Sequence, residues 1–133
     1  MTGQPLERTG PPALPPRLEL PDGLVGLPAL RSFDVRPIEP SGLIELVSLD
    51  DPDFGFAAAP AEAVREGYTT ALVASGFAGA DATVLVLLAV HGDPPVVTAN
   101  LAGPLVLSPD GTGRQLVLEG PAFPLREPVA AVG

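Results

Sequence analysis

Cysteine, lysine and tryptophan are absent from this 133-residue chain, which has a single histidine and a single tyrosine. Without cysteine there is no disulfide framework and no thiolate metal site, as suits a reducing compartment. Without lysine every cation is an arginine, and seven of these face sixteen carboxylates, for a net charge of −9. Such a surface repels a phosphate backbone, which argues against direct binding of nucleic acid. The longest strongly apolar run, "TVLVLLAV" from Thr83 to Val90, is far short of the roughly 20 residues a membrane-spanning helix needs. With five phenylalanines and no tryptophan, the core has to be built mainly from Leu, Val and Ala.

The length suits one domain, large enough to bury a core without metal or disulfide staples. Residues 1–16 include Pro5, Pro11, Pro12, Pro15 and Pro16 and read as a flexible proline-rich tail, with Pro12 to Pro15 spaced as a polyproline II ligand would be. The opening "MTGQPLERTGPP" lacks both a basic segment leading into an apolar one and an acylation glycine, so the expected location is the cytoplasm.

From residue 17 to 133 short apolar stretches alternate with Pro, Gly, Asp and Asn. Strands are predicted at 17–20, 31–38, 43–49, 53–59, 83–91, 96–101, 104–108 and 114–119. That pattern gives a mainly β fold class, a small antiparallel β-barrel-like domain with one or two short helices. Alternation places Phe33 and Val35 on one face of their strand, and Phe54 with Phe56 on one face of another, the phenylalanines being core candidates. The run 83–90 reads as a central strand buried on both faces. "SPDGTG" at 108–113 is a reversal, predicting a hairpin in which Leu105 and Leu107 are matched by Leu116 and Leu118. "APAEAVREG" predicts a short helix or a single 3₁₀ turn between Pro60 and Gly67, and "TTALVASG" fits either a strand or, the preferred reading, a helix with Thr70 as N-cap and Gly76 as terminator.

Reaction chemistry finds few residues to work with. His91 stands alone at a strand end with no Gly-x-Ser-x-Gly elbow in the chain. "DDPDFG" lacks the alternating ligands and closing glutamate of a calcium loop and fits an Asx turn better. Gly23 and Gly26 do not follow a strand into a helix, so no phosphate cradle is expected. No enzyme activity, metal or cofactor is predicted. Charge is concentrated instead: between Arg36 and Arg65 lie Glu39, Glu45, Asp50, Asp51, Asp53 and Glu62 without one base. The block reads either as a solvated face or as an electrostatic surface for a basic partner.

Four motifs in order carry a resemblance: Ser48-Leu49-Asp50-Asp51-Pro52 followed by Phe54 and Phe56; Thr98-Ala99-Asn100-Leu101 with Pro104; Gln115-Leu116-Val117-Leu118; and Pro124-Leu125-Arg126. Over residues 18–128 the chain resembles the bacterial flagellar assembly factor FliW family. It departs from the family pattern in the nearly uncharged "YTTALVASGFAGADA", where an acidic amphipathic segment is usual, and at Gly26-Leu27, where Gly-Phe is usual. The resemblance implies a monomeric, barrel-like protein that binds newly made flagellin and the translational regulator CsrA, keeping CsrA off the flagellin messenger. It also ranks partner-binding candidates. Asp50, Asp51 and Asp53 match the most specific acidic motif. Thr98 and Asn100 belong to the second motif and read more readily as structural than as contacts. Arg126 either pairs with a carboxylate or faces a partner. The rival reading is a small barrel that carries an apolar ligand.

Overall fold

The computed structural model describes residues 14–129. Residues 1–13 of the expected tail lie outside the described residues. Leu14 packs against the core, and the Pro16 carbonyl accepts the Val35 N–H at 2.9 Å.

Among the described residues nine strands and two short helices follow one another as β1 (Arg17–Glu19), β2 (Ser32–Ile38), β3 (Leu43–Ser48), β4 (Gly55–Pro60), α1 (Ala61–Val64), α2 (Tyr68–Ala74), β5 (Thr83–His91), β6 (Val96–Ala99), β7 (Leu105–Leu107), β8 (Gly113–Gln115) and β9 (Glu127–Pro128). Strands β1 to β5 form an antiparallel meander, continued by β7 on β5 and β8 on β7. The Glu19 N–H then donates to the Gly111 carbonyl at 3.0 Å, beside a parallel bridge from Glu19 to Thr112. That contact nearly closes the ring into a barrel, and it depends on glycine at 111. The backbone there has φ +92°, and an added Cβ would lie 2.6 Å from the Arg17 carbonyl oxygen.

The central strand is β5, with β4 on one side and β7 then β6 on the other. Its side chains divide the interior between two clusters. Leu85 joins Leu18, Phe33, Leu46, Leu105 and Leu107 inside the barrel, while Val84 and Val86 pack with Tyr68, Leu72 and Leu101 beneath the helices. Burial on both faces therefore holds for Val84 to Val86. It fails at Ala89 and Val90, which are exposed, because here β5 has left the ring and runs with β6 and β9 alone.

Three further expectations need correction. Phe54 is exposed, at 37%; only Phe33 is fully buried, and Phe56 packs against the core from its edge. In the hairpin the register pairs Leu105 with Gln115 and Leu107 with Gly113, so Leu105 and Leu107 enter the barrel while Leu116 and Leu118 enter the other cluster. The reversal sets this, through bonds from Ser108 N–H to the Thr112 carbonyl (2.8 Å) and from Gly111 N–H to the Ser108 carbonyl (2.9 Å). A one-residue change of register exchanges the faces of a strand. Finally, the N-cap position of α2 is Gly67, with φ +84°, and not Thr70. The capping acceptor comes from the first turn of α1: the Glu62 carboxylate takes the N–H groups of Gly67 (2.9 Å) and Thr69 (2.7 Å).

Candidate partner-binding surfaces

The Thr98-Ala99-Asn100-Leu101 motif builds a corner. Ala99 pairs with Leu88 of β5 and Leu105 with Leu85, so residues 100–104 stand opposite only residues 86 and 87. The surplus chain loops out as the strand passes from the β6 sheet into the barrel, and several of the freed polar groups find partners inside the protein. Asn100 Oδ1 accepts the Ala102 N–H at 3.0 Å. Buried Leu101 donates its N–H to the Pro124 carbonyl (3.0 Å) and accepts the Tyr68 hydroxyl on its own carbonyl (2.5 Å). Burial pushes the Tyr68 phenol up to about 12 from its ordinary value of 10.0, so it stays protonated and able to donate. Gln115 Nε2 donates to the Gly103 carbonyl (2.9 Å), and its Oε1 takes the Val25 N–H (2.8 Å). At Gly103 any Cβ would meet Gln115 Nε2 at 2.7 Å. Thr98 is buried and Asn100 half-buried within this corner, where the Asn100 side-chain oxygen is engaged by the backbone.

The acidic motif forms the β3–β4 turn. Ser48 is buried; its Oγ accepts the Asp51 N–H (3.0 Å), and its N–H donates to the Phe54 carbonyl (3.0 Å). Asp51 Oδ1 takes the Asp53 N–H (3.2 Å), an Asx turn. Asp50 Oδ2 accepts the N–H groups of Arg31 (2.7 Å) and Ser32 (2.8 Å), tying the turn to the start of β2. Those two bonds, the one from Arg31 first, hold the Asp50 carboxyl below its ordinary value. Among the described residues nothing is hydrogen-bonded to the Asp53 carboxylate, which is exposed. Beside it Phe54 stacks on Phe56 with centroids 6.4 Å apart, and Leu49 is 41% exposed. The turn thus presents one unengaged carboxylate next to two exposed apolar side chains.

Glu62, like Asp50, is held below its ordinary carboxylate value, first by the Gly67 bond. Both carboxyls bind protons less tightly in the folded chain than in the unfolded one, so acidification favours unfolding. Their contribution is complete above the ordinary values of 4.5 and 3.8 and is lost as pH falls through the lower folded values. Urea unfolding between about pH 3 and pH 6 should show the midpoint dropping at the acid end, and less steeply in Glu62→Gln.

Arg126 is exposed, and among the described residues no carboxylate lies within ion-pair distance of it. The ion pair in this region is instead Arg65 with Glu127, at 3.3 Å. Pairing of Glu127 with Ala99 puts Arg126 next to the Asn100 corner. Thr98, Asn100 and Arg126 thus share one region and the three aspartates another; no strand pairing, hydrogen bond or ion pair joins the two among the described residues.

A third feature escaped sequence reading. At the β2–β3 end of the barrel an open groove of about 630 Å³ is walled by Leu14, Val35, Ile38, Leu43, Ile44 and Leu85. Its walls come from chain segments remote in sequence, so no local pattern marks it. The Tyr68 and Gln115 roles were also missed, although Tyr68 is the chain's single tyrosine and Gln115 opens the third motif.

The geometry defines a small antiparallel barrel whose motif residues shape its corners and turns and whose apolar groove and acidic turn face outward. The chain belongs to the FliW family: the family model described as FliW protein matches residues 12–129. It is similar to the flagellar assembly factor FliW of Geotalea uraniireducens, 30% identical over 118 residues that cover 84% of this chain and 72% of that one. It is also similar to flagellar assembly factor FliW 2 of Desulfotalea psychrophila, 31% identical over 126 residues covering 86% and 81% of the two chains. A crystal structure of the flagellar assembly factor FliW shares the fold, with TM-score 0.68 and 21% identity, covering 85% of this chain and 84% of that one.

Proposed function

We propose that this chain is a cytoplasmic flagellar assembly factor that binds flagellin and antagonises a CsrA-type translational regulator, coupling flagellin translation to assembly. The observation that carries this reading is the family match over residues 12–129. The protein acts as a monomeric binding protein without cofactor or catalytic step. When unassembled flagellin is plentiful it occupies the domain and CsrA is free to repress; when flagellin has been exported, the domain returns to CsrA.

The charge supports the CsrA half. A regulator that grips RNA presents basic groups, and a protein of net charge −9 both attracts those groups and repels the messenger. Within the acidic turn Asp53 is the carboxylate offered to the partner, while Asp50 and Asp51 hold the turn in shape. Thr98 and Asn100 act by shaping the corner, and exposed Arg126 faces the partner beside it. The flagellin half requires a site for the amphipathic terminal helices of flagellin, which need burial before assembly.

Pull-downs with the flagellin and the CsrA encoded in the same genome test the reading, and capture of both is expected. Calorimetry with flagellin lacking its terminal helices should show a large loss of affinity; equal affinity would count against helix burial. A second reading, a carrier of an apolar ligand, draws on the groove, whose size suits a small molecule. It predicts saturable binding of a fatty acid by the purified chain.

A further inference from the structure

We infer that the groove at the β2–β3 end of the barrel is the docking site for a basic amphipathic helix of flagellin. This rests on the reading of the chain as a flagellin-binding factor and adds where the partner is held and in what form. Three independent features of the groove select that occupant.

The first is its mainly apolar wall, which takes an apolar stripe and offers a polar guest little beyond Glu39 and Thr83. The second is proline. Pro15, Pro16, Pro37, Pro40 and Pro60 all line the groove, and proline has no N–H to donate. An extended guest gains its affinity from a main-chain ladder, which such walls cannot complete. A helix satisfies its own backbone internally and needs only side-chain contact, with anchors spaced i, i+3 or i+4, i+7. The third is charge. Among the described residues that line the groove there is no base. Glu39 stands on the groove itself, and Arg36 at its margin is engaged by Asp34 at 3.6 Å. Lysine or arginine flanking the apolar stripe of the guest is therefore attracted, and acidic flanks are repelled.

Ile38 lines the groove and is 41% exposed, so Ile38→Asp places a solvated charge where the stripe would lie without burying it in the core. Calorimetry of full-length chain with full-length flagellin should show Ile38→Asp binding at least about tenfold more weakly at unchanged melting temperature. Glu39→Lys should bind several-fold more weakly at low salt, the difference vanishing at high salt. Val90→Asp, on the β5–β6 hairpin and outside the groove, should bind as wild type does. Undiminished binding by Ile38→Asp overturns the inference and leaves the proposed function standing. Failure of the wild-type chain to bind flagellin overturns both. Two other results also overturn it: a wild-type dimer in sedimentation that Ile38→Asp abolishes while flagellin binding is kept, which gives the groove to a second copy; or palmitate binding lost in Ile38→Asp with flagellin binding kept, which makes the chain a carrier.

Discussion

Leu101→Ala is expected to destabilise the protein by about 2–5 kcal/mol, the range for truncating a fully buried leucine. Leu101 has no exposed surface and lies where the strand leaves the β6 sheet for the barrel. Its backbone joins Tyr68 on one side and Pro124 on the other, so a cavity there loosens α2, β6 and the C-terminal segment together. Tyr68→Phe should cost about 1–3 kcal/mol, because the Leu101 carbonyl loses its hydroxyl donor while the ring stays. The exposed control Leu49→Ala should stay within about 0.5 kcal/mol of wild type. Urea unfolding measures all three. The wild-type protein should also weaken in alkali, since the Tyr68 contribution is complete below its ordinary value of 10.0 and is lost as pH rises through about 12. Equal alkaline profiles for wild type and Tyr68→Phe would show that the phenol is not what holds the corner.

Replacing Asp50, Asp51 and Asp53 together with Asn should slow association with CsrA by about tenfold at low ionic strength while leaving dissociation nearly unchanged, because charges at an interface rim act mainly by steering the encounter. Above roughly 0.15 M salt, where the screening length is about 8 Å, the triple variant and wild type should converge. Flagellin binding should change much less, since apolar burial does not depend on those charges. The turn assigns distinct outcomes to the single variants. Asp53→Asn should carry part of the kinetic effect at unchanged melting temperature. Asp50→Asn should lower the melting temperature, because its carboxylate accepts two backbone N–H groups from Arg31 and Ser32. Stopped-flow association and thermal unfolding separate the two; a triple variant that associates with CsrA at the wild-type rate in low salt would show that these charges do not steer.

Much of the architecture was legible in the sequence because strand faces are written in a two-residue period. Phe33 and the Asp-Gly reversal at Asp110 and Gly111 are local signals, and each marked its element. The hairpin register was not legible: it depends on how many residues the reversal spends between Leu107 and Gly113, which the bonds of Ser108, Gly111 and Thr112 decide. Phe54 follows the strand pattern yet lies just before β4 begins at Gly55, on a turn with no opposing layer to bury it. The cap on α2 comes from Glu62, outside that helix, so a search for Ser, Thr, Asp or Asn just before it finds the wrong residue. The candidate site divides in the same way. The Asx chemistry around Asp51 is local and was foreseen; the bonds from Asp50 to Arg31 and Ser32 and the groove join distant segments and needed the fold.

The most direct test of the proposed switch is competition in solution, with flagellin titrated into a preformed complex of this chain and CsrA labelled for fluorescence anisotropy. Release of CsrA in step with added flagellin, returning the messenger-binding activity of the regulator, is the predicted result. A stable complex holding this chain, flagellin and CsrA together, or a chain that never binds CsrA, would contradict it.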